Sequence, residues 1–172
     1  MKLRALLGFC VLALTPALIP GCGGSEVHAA NITPGNMPDG ENWDGVYFHQ
    51  VYGNLHLKEQ DNNLVVGKWQ RTDKSAWGRL SGTKNGNVLH FQWTETKYGM
   101  VGPSAASHGR GYFQYKMPKE GKIAELDGQY GLDQEETGSE WHCVKQQHVN
   151  PDLDSIKGDV PGGGAPQGGG FE

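Results

Sequence analysis

Side chains able to do chemistry are few in this chain. There are seven histidines and three cysteines, with no Gly-x-Ser-x-Gly elbow, Walker A loop or His-Glu-x-x-His helix to frame a reaction. The densest cluster is Trp141-His142-Cys143 with His148. Neighbouring side chains of a strand point to opposite faces, so His142 and Cys143 cannot hold one ion. His56 and His90 are the pair that could still meet across strands. No metal site and no cofactor is expected. A lone Cys143 beside Trp141 reads as a small buried hydrophobe rather than a nucleophile. Enzymatic action would need a perturbed carboxylate such as Glu125 or Asp127 inside the core. The chain reads instead as a non-catalytic protein.

Cys22 is a different case. Lys2 and Arg4 precede an apolar run from Ala5 to Ile19, followed by Pro20, Gly21 and Cys22, the order of an export signal. Ile19-Pro20-Gly21-Cys22 resembles the lipobox of bacterial lipoproteins, with Pro20 an uncommon occupant of its middle position. The resemblance implies cleavage before Cys22, a diacylglyceryl thioether on its sulfur and an acylated amino group. Two or more acyl chains anchor stably where one is marginal. Position 23 is Gly rather than the Asp that favours inner-membrane retention, so the expected location is the cell envelope, lipid-anchored at the outer membrane. Cys10 leaves with the signal and Cys22 is acylated, which leaves Cys143 alone and no intramolecular disulfide.

Something must position the remaining side chains. All five Trp and all six Tyr fall between residues 43 and 148, which marks the domain. The expected division is a signal peptide over 1–21, a lipid-anchored flexible linker over 22–42, the folded domain over 43–148 and a disordered Gly/Pro-rich acidic tail over 149–172. The domain carries twelve basic and twelve acidic residues, so the acidic excess of the mature chain lies wholly in the flanks. Basic residues are not clustered as a nucleic-acid footprint requires, and no nucleic-acid partner is expected.

Within the domain the apolar pattern has period two, broken by turn residues at the spacing of an all-β sandwich or barrel. Eight strands are predicted, near 43–50, 51–59, 63–71, 76–83, 87–97, 109–117, 122–131 and 140–147. Asn85-Gly86 is the clearest hairpin signal, read as a type I′ turn. Eight antiparallel strands joined by short turns lose their free edges by closing into an up-and-down β-barrel. Alternation puts Tyr47, Leu55, Leu57, Trp69, Leu89, Phe91, Trp93, Phe113, Tyr115, Leu126, Tyr130, Trp141 and Cys143 inside, with Lys58, Lys68, Gln92, Lys116 and Gln129 outside.

An eight-stranded barrel is either filled by its own side chains or holds one small ligand. For the second case Tyr47, Leu57, Trp69, Trp93, Tyr115, Tyr130 and Trp141 are the candidate ligand-binding residues. The long segment 98–109, with Tyr98, Met100, Pro103 and His108, is the candidate lid. Gly45-Val46-Tyr47, Gly53 and Gly67-Lys68-Trp69 look like the opening of avidin-type and lipocalin-type barrels. The residues that avidins use for biotin are not matched, since Asn54 follows Gly53 and Arg71 stands where a small hydroxyl is wanted. The expected function is therefore an envelope lipoprotein binding a small apolar ligand in the barrel or a protein at its rim. The alternative is an envelope inhibitor or assembly lipoprotein with a filled core.

Overall fold

The computed structural model describes residues 27–118 and 123–158; Cys22 and the lipobox lie outside them. Eight strands, β1 (Gly45–His49), β2 (Gly53–Glu59), β3 (Leu64–Gln70), β4 (Ala76–Asn85), β5 (Val88–Lys97), β6 (Ala106–Lys116), β7 (Glu125–Leu132) and β8 (Ser139–Lys145), pair in sequence order. Every neighbour is antiparallel and β8 returns to β1, which closes the barrel. The predicted all-β, eight-stranded antiparallel barrel is thus the observed fold. Closure follows from the sequence chemistry: alternating side chains bury one face, and joining the last strand to the first leaves no unpaired edge.

The inward set is buried as the alternation requires, with Tyr130 packed against it from the mouth. His142 is exposed and Cys143 buried, so the two do face opposite ways. His56 and His90 do not meet. They stand on β2 and β5, three strands apart, and His56 accepts the Asp152 N–H at 3.0 Å while His90 contacts Glu136 at 3.0 Å.

Two local readings change. Gly86 alone in its hairpin has positive φ, 54°, which fits a type II′ turn better than type I′. Asn87 is instead fixed by its side chain, which accepts from Gly35 N and donates to Tyr115 O. The long segment is also shorter than expected, because β6 begins at Ala106 and Thr94 pairs with His108, Glu95 with Ser107 and Thr96 with Ala106. The connection reduces to 98–105, and His108 belongs to a strand.

The flanks are the larger correction. Residues 27–42, expected as flexible linker, lie against the barrel. His28 pairs with the 134–136 backbone, Ala30 N donates to Glu136 Oε2 at 2.8 Å, and Gly35 bonds Asn87 near the opposite end. Residues 149–158, expected as tail, run back along the outer wall. Asp152 meets His56, Ile156 is buried, Lys157 O accepts from Tyr98 and Gly158 packs on Trp77. Few apolar residues were needed for this, because each strap is held by backbone hydrogen bonds to polar side chains that protrude from the wall.

The two barrel ends differ. The end bearing the β2–β3, β4–β5 and β6–β7 connections is sealed by residues 37–44. Trp43, expected in the first strand, is fully buried there, with its backbone N–H on Glu59 at 2.9 Å and its carbonyl accepting from Tyr47 at 3.2 Å. Glu41 completes the seal by binding Tyr115 Oη and, at 3.0 Å, Lys145 Nζ. The opposite end, bearing the β1–β2, β3–β4, β5–β6 and β7–β8 connections, is the mouth.

Candidate functional site

The interior is filled along most of its axis. Trp141 is its centre, with ring centroids of Tyr52, Trp69, Phe113 and Tyr130 at 4.9, 5.1, 5.1 and 5.7 Å. What remains is a cup of about 190 Å³ at the mouth, lined by Tyr52, Trp69, Arg71, Trp93, Glu95 and Tyr130 among others. Period-two alternation explains its polar rim: Arg71 and Glu95 lie two residues beyond the inward Trp69 and Trp93 on their strand lines. Arg71 grips Glu95 through Nε at 3.0 Å and Nη2 at 2.7 Å, a bidentate pair, and Trp69 Nε1 adds a third bond to the same carboxylate at 3.1 Å. The guanidinium also stands 5.2 Å over the Tyr52 ring. Burial and the hydrogen bond to Tyr130 push the Tyr52 phenol well above its ordinary range. Glu95 is thus committed to its partners, and burial likewise pushes the Cys143 thiol up, so it stays protonated and inert.

A larger concavity, about 750 Å³, lies on the outer wall across β3, β4, β5 and β6. The register arranges its side chains in rows: Lys68, Arg79, Thr94 and His108 are successive cross-strand partners, and Val66, Ser81, Gln92 and Arg110 form the next row. With strands about 4.8 Å apart, each row spans about 14 Å. Lys68 and Arg79 sit directly opposite one another, an arrangement that costs stability. Among the described residues neither has an ion-pair partner. Arg110 Nε is buried without a hydrogen bond, its nearest carboxylate oxygen being Glu136 Oε1 at 3.8 Å. Asp133, also at the groove, is engaged by His108 at 3.2 Å. Gln92, Gln134, Ser81 and Thr94 supply neutral donors between the cations.

Comparison with protein-family models, curated proteins and solved structures finds no match. The fold class therefore stands on strand pairing, and the sites on their own chemistry.

Of the candidate ligand-binding residues, Trp69, Trp93, Tyr130 and Trp141 come together at the cup. Tyr47, Leu57 and Tyr115 do not. They lie deeper in the packed core, and Tyr115 serves the seal. None of the lid candidates lines the cup: Tyr98 is drawn outward by Gln70 and Lys157, Met100 and Pro103 are exposed on the connection, and His108 faces the groove. Among the described residues no three His, Cys, Asp or Glu side chains are placed to hold a metal ion. Neither Glu125 nor Asp127 points inward; Asp127 bonds Lys116 and His142 outside the barrel. The buried carboxylate is Glu136, which lies in the β7–β8 connection and had no periodic signal to mark it. Arg71 and Glu95 were within reach of the alternation, had it been extended past the aromatic positions.

Proposed function

We propose that this chain is a lipid-anchored, non-catalytic envelope protein of the interaction type, with a filled barrel that offers its outer wall to an acidic partner. The observation that carries this reading is the contrast of the two concavities. Ligand pockets for drug-sized molecules occupy about 300–1,000 Å³; the wall groove, at about 750 Å³, lies within that range and the cup inside the barrel does not. The cup, at about 190 Å³, has room for one side chain, and its Arg71–Glu95 pair disfavours a purely apolar guest. Lys68 and Arg79, kept side by side on adjacent strands despite their mutual repulsion and with no ion-pair partner among the described residues, are accounted for by an anionic partner that neutralises them.

The test is crosslinking of the full chain in envelope membranes, comparing the wild type with Lys68→Glu/Arg79→Glu. Charge reversal should abolish the crosslinked partner, and raised salt should weaken capture by the wild type. An unchanged crosslinking pattern refutes the wall as the binding face. A lipid that co-purifies in the barrel and quenches its Trp fluorescence would restore the cavity reading.

A further inference from the structure

The cup at the mouth keeps features that packing alone does not require. Its rings are set across one another: Trp93 stands at 89° to Tyr130, Tyr52 at 85° to Tyr130, and Tyr130 at 76° to Trp141. Rings placed in this way form the walls of a box rather than a stack, and the space they leave, about 190 Å³, suits one ring-sized guest. Trp69, Gly78, Glu95 and Ser107 are successive cross-strand partners along one side of it. Because Gly78 has no side chain, the Trp69 ring lies across it, 2.0 Å from where a Cβ would stand, and reaches Glu95 Oε2 with its Nε1 at 3.1 Å. A row that an apolar side chain would close is thus left open beside a carboxylate.

The Arg71–Glu95 pair is the second such feature. Its side chains are only 30% and 15% exposed, and a pair so placed roughly breaks even against an apolar replacement, which here would extend the aromatic core. What the pair does provide is hydrogen-bonding capacity. Arg71 spends Nε and Nη2 on Glu95, and its Nη1 bonds nothing among the described residues. Glu95 Oε2 accepts from Arg71 and Trp69, whereas Oε1 accepts from Arg71 alone and keeps a lone pair. Ser107, also lining the cup, adds a hydroxyl that both donates and accepts. The rim therefore offers donors beside an acceptor at no net charge. An apolar guest would leave these groups unpaired; an anion would face Glu95, and a cation would face Arg71.

We propose that the cup binds the terminal pyranose of a neutral glycan. The C–H face of the sugar lies on the aromatic walls, and two neighbouring hydroxyls, each able to donate and to accept, bridge Arg71 Nη1 and Glu95 Oε1. Trp141, packed on Trp69 and Phe113, closes the bottom, so the end of a sugar chain enters and its middle does not. This site is separate from the wall groove and does not depend on it.

The test titrates the full, isotope-labelled chain with the methyl glycosides of glucose, galactose, mannose and N-acetylglucosamine while the indole N–H signals are followed by NMR. At least one pyranoside should move the signals of Trp69, Trp93 and Trp141. Trp43, buried at the sealed end, and Trp77, beneath Gly158 on the outer wall, should stay in place. Glu95→Gln should weaken the binding about tenfold, as the loss of a charge-assisted bond implies. Gly78→Ala, which turns the Trp69 ring into the cup, should abolish it, and Lys68→Glu/Arg79→Glu should leave it unchanged. Silence of the three cup signals toward every pyranoside overturns the proposal. So does a response to indole alone, which makes the guest an apolar side chain, or movement of Trp77 in place of the three, which puts the sugar on the wall.

Discussion

Replacing Trp141 by Ala removes the ring against which the others pack. Truncating a buried Trp to Ala costs about 3–5 kcal/mol, and here the loss should reach about 4 kcal/mol, because the closed ladder keeps the wall from collapsing inward. A domain stable by about 5–15 kcal/mol survives that change but becomes marginal. The cup lies directly above the lost ring, so the new space joins the mouth instead of forming a sealed void. Indole should enter it. At tenfold excess over its dissociation constant it would return about 1.4 kcal/mol. Urea denaturation followed by far-ultraviolet circular dichroism, with and without indole, measures both quantities. A loss under about 1 kcal/mol, small against the cost of any truly buried Trp, would show that Trp141 is not the packing centre. Equal stabilisation of the wild type by indole would show that the interior is already hollow.

The acid side of the stability profile should be steep. Burial alone would raise the Glu41 and Glu59 carboxyls, but Tyr115 and Lys145 for the first, and Lys84 with the Trp43 N–H for the second, hold both below their ordinary 4.5. Their contribution is complete above that value and is lost as pH falls through the lower folded values. His49 and His56 are held below 6.5, burial being the main cause for each, so stability should begin to decline once pH drops under 6.5. A melting temperature flat from about pH 3 to pH 7 contradicts these assignments. Glu136→Ala leaves the Ala30 N–H without its acceptor and Arg110 without its nearest counter-ion, at a cost of about 1–3 kcal/mol. Hydrogen exchange should quicken at residues 28–32 while the barrel strands stay protected, and uniform quickening would deny the strap its separate role. Gly78→Ala would set a Cβ 2.0 Å from the Trp69 ring. The ring must then shift into the cup, costing about 1–3 kcal/mol, and near-ultraviolet circular dichroism that matches the wild type would refute that crowding.

Period-two alternation was enough to place the inward aromatic residues, since one-residue slips would have turned Trp69, Phe91 and Trp141 toward water. Turn residues marked the hairpins to within a few positions. The straps were not legible: residues 27–42 show no apolar period because they bind through backbone groups to Asn87 and Glu136, partners far away in the chain. Alternation marks Lys68 as an outward residue, yet its adjacency to Arg79 depends on register between strands, which alternation within a strand does not encode. The cup's small volume likewise depends on how the rings of Tyr52, Trp69, Trp93, Tyr130 and Trp141, from the β1–β2 connection and from β3, β5, β7 and β8, interlock, a property of volumes rather than pattern.

The two straps run in opposite directions along the wall, one toward the sealed end at Asn87 and the other toward the mouth at Tyr98. Residues 28 and 158 are thus both held on the outside of the ladder, by the 134–136 segment and by Trp77. Tension applied between them loads the straps first, and their few bonds to Glu136, Asn87, His56 and Tyr98 open one after another. The eight-stranded ladder is reached only after both straps have peeled, and it then parts at the short β1–β8 seam, where two register pairs join the first strand to the last. Mechanically the molecule is a closed ring behind two sacrificial latches.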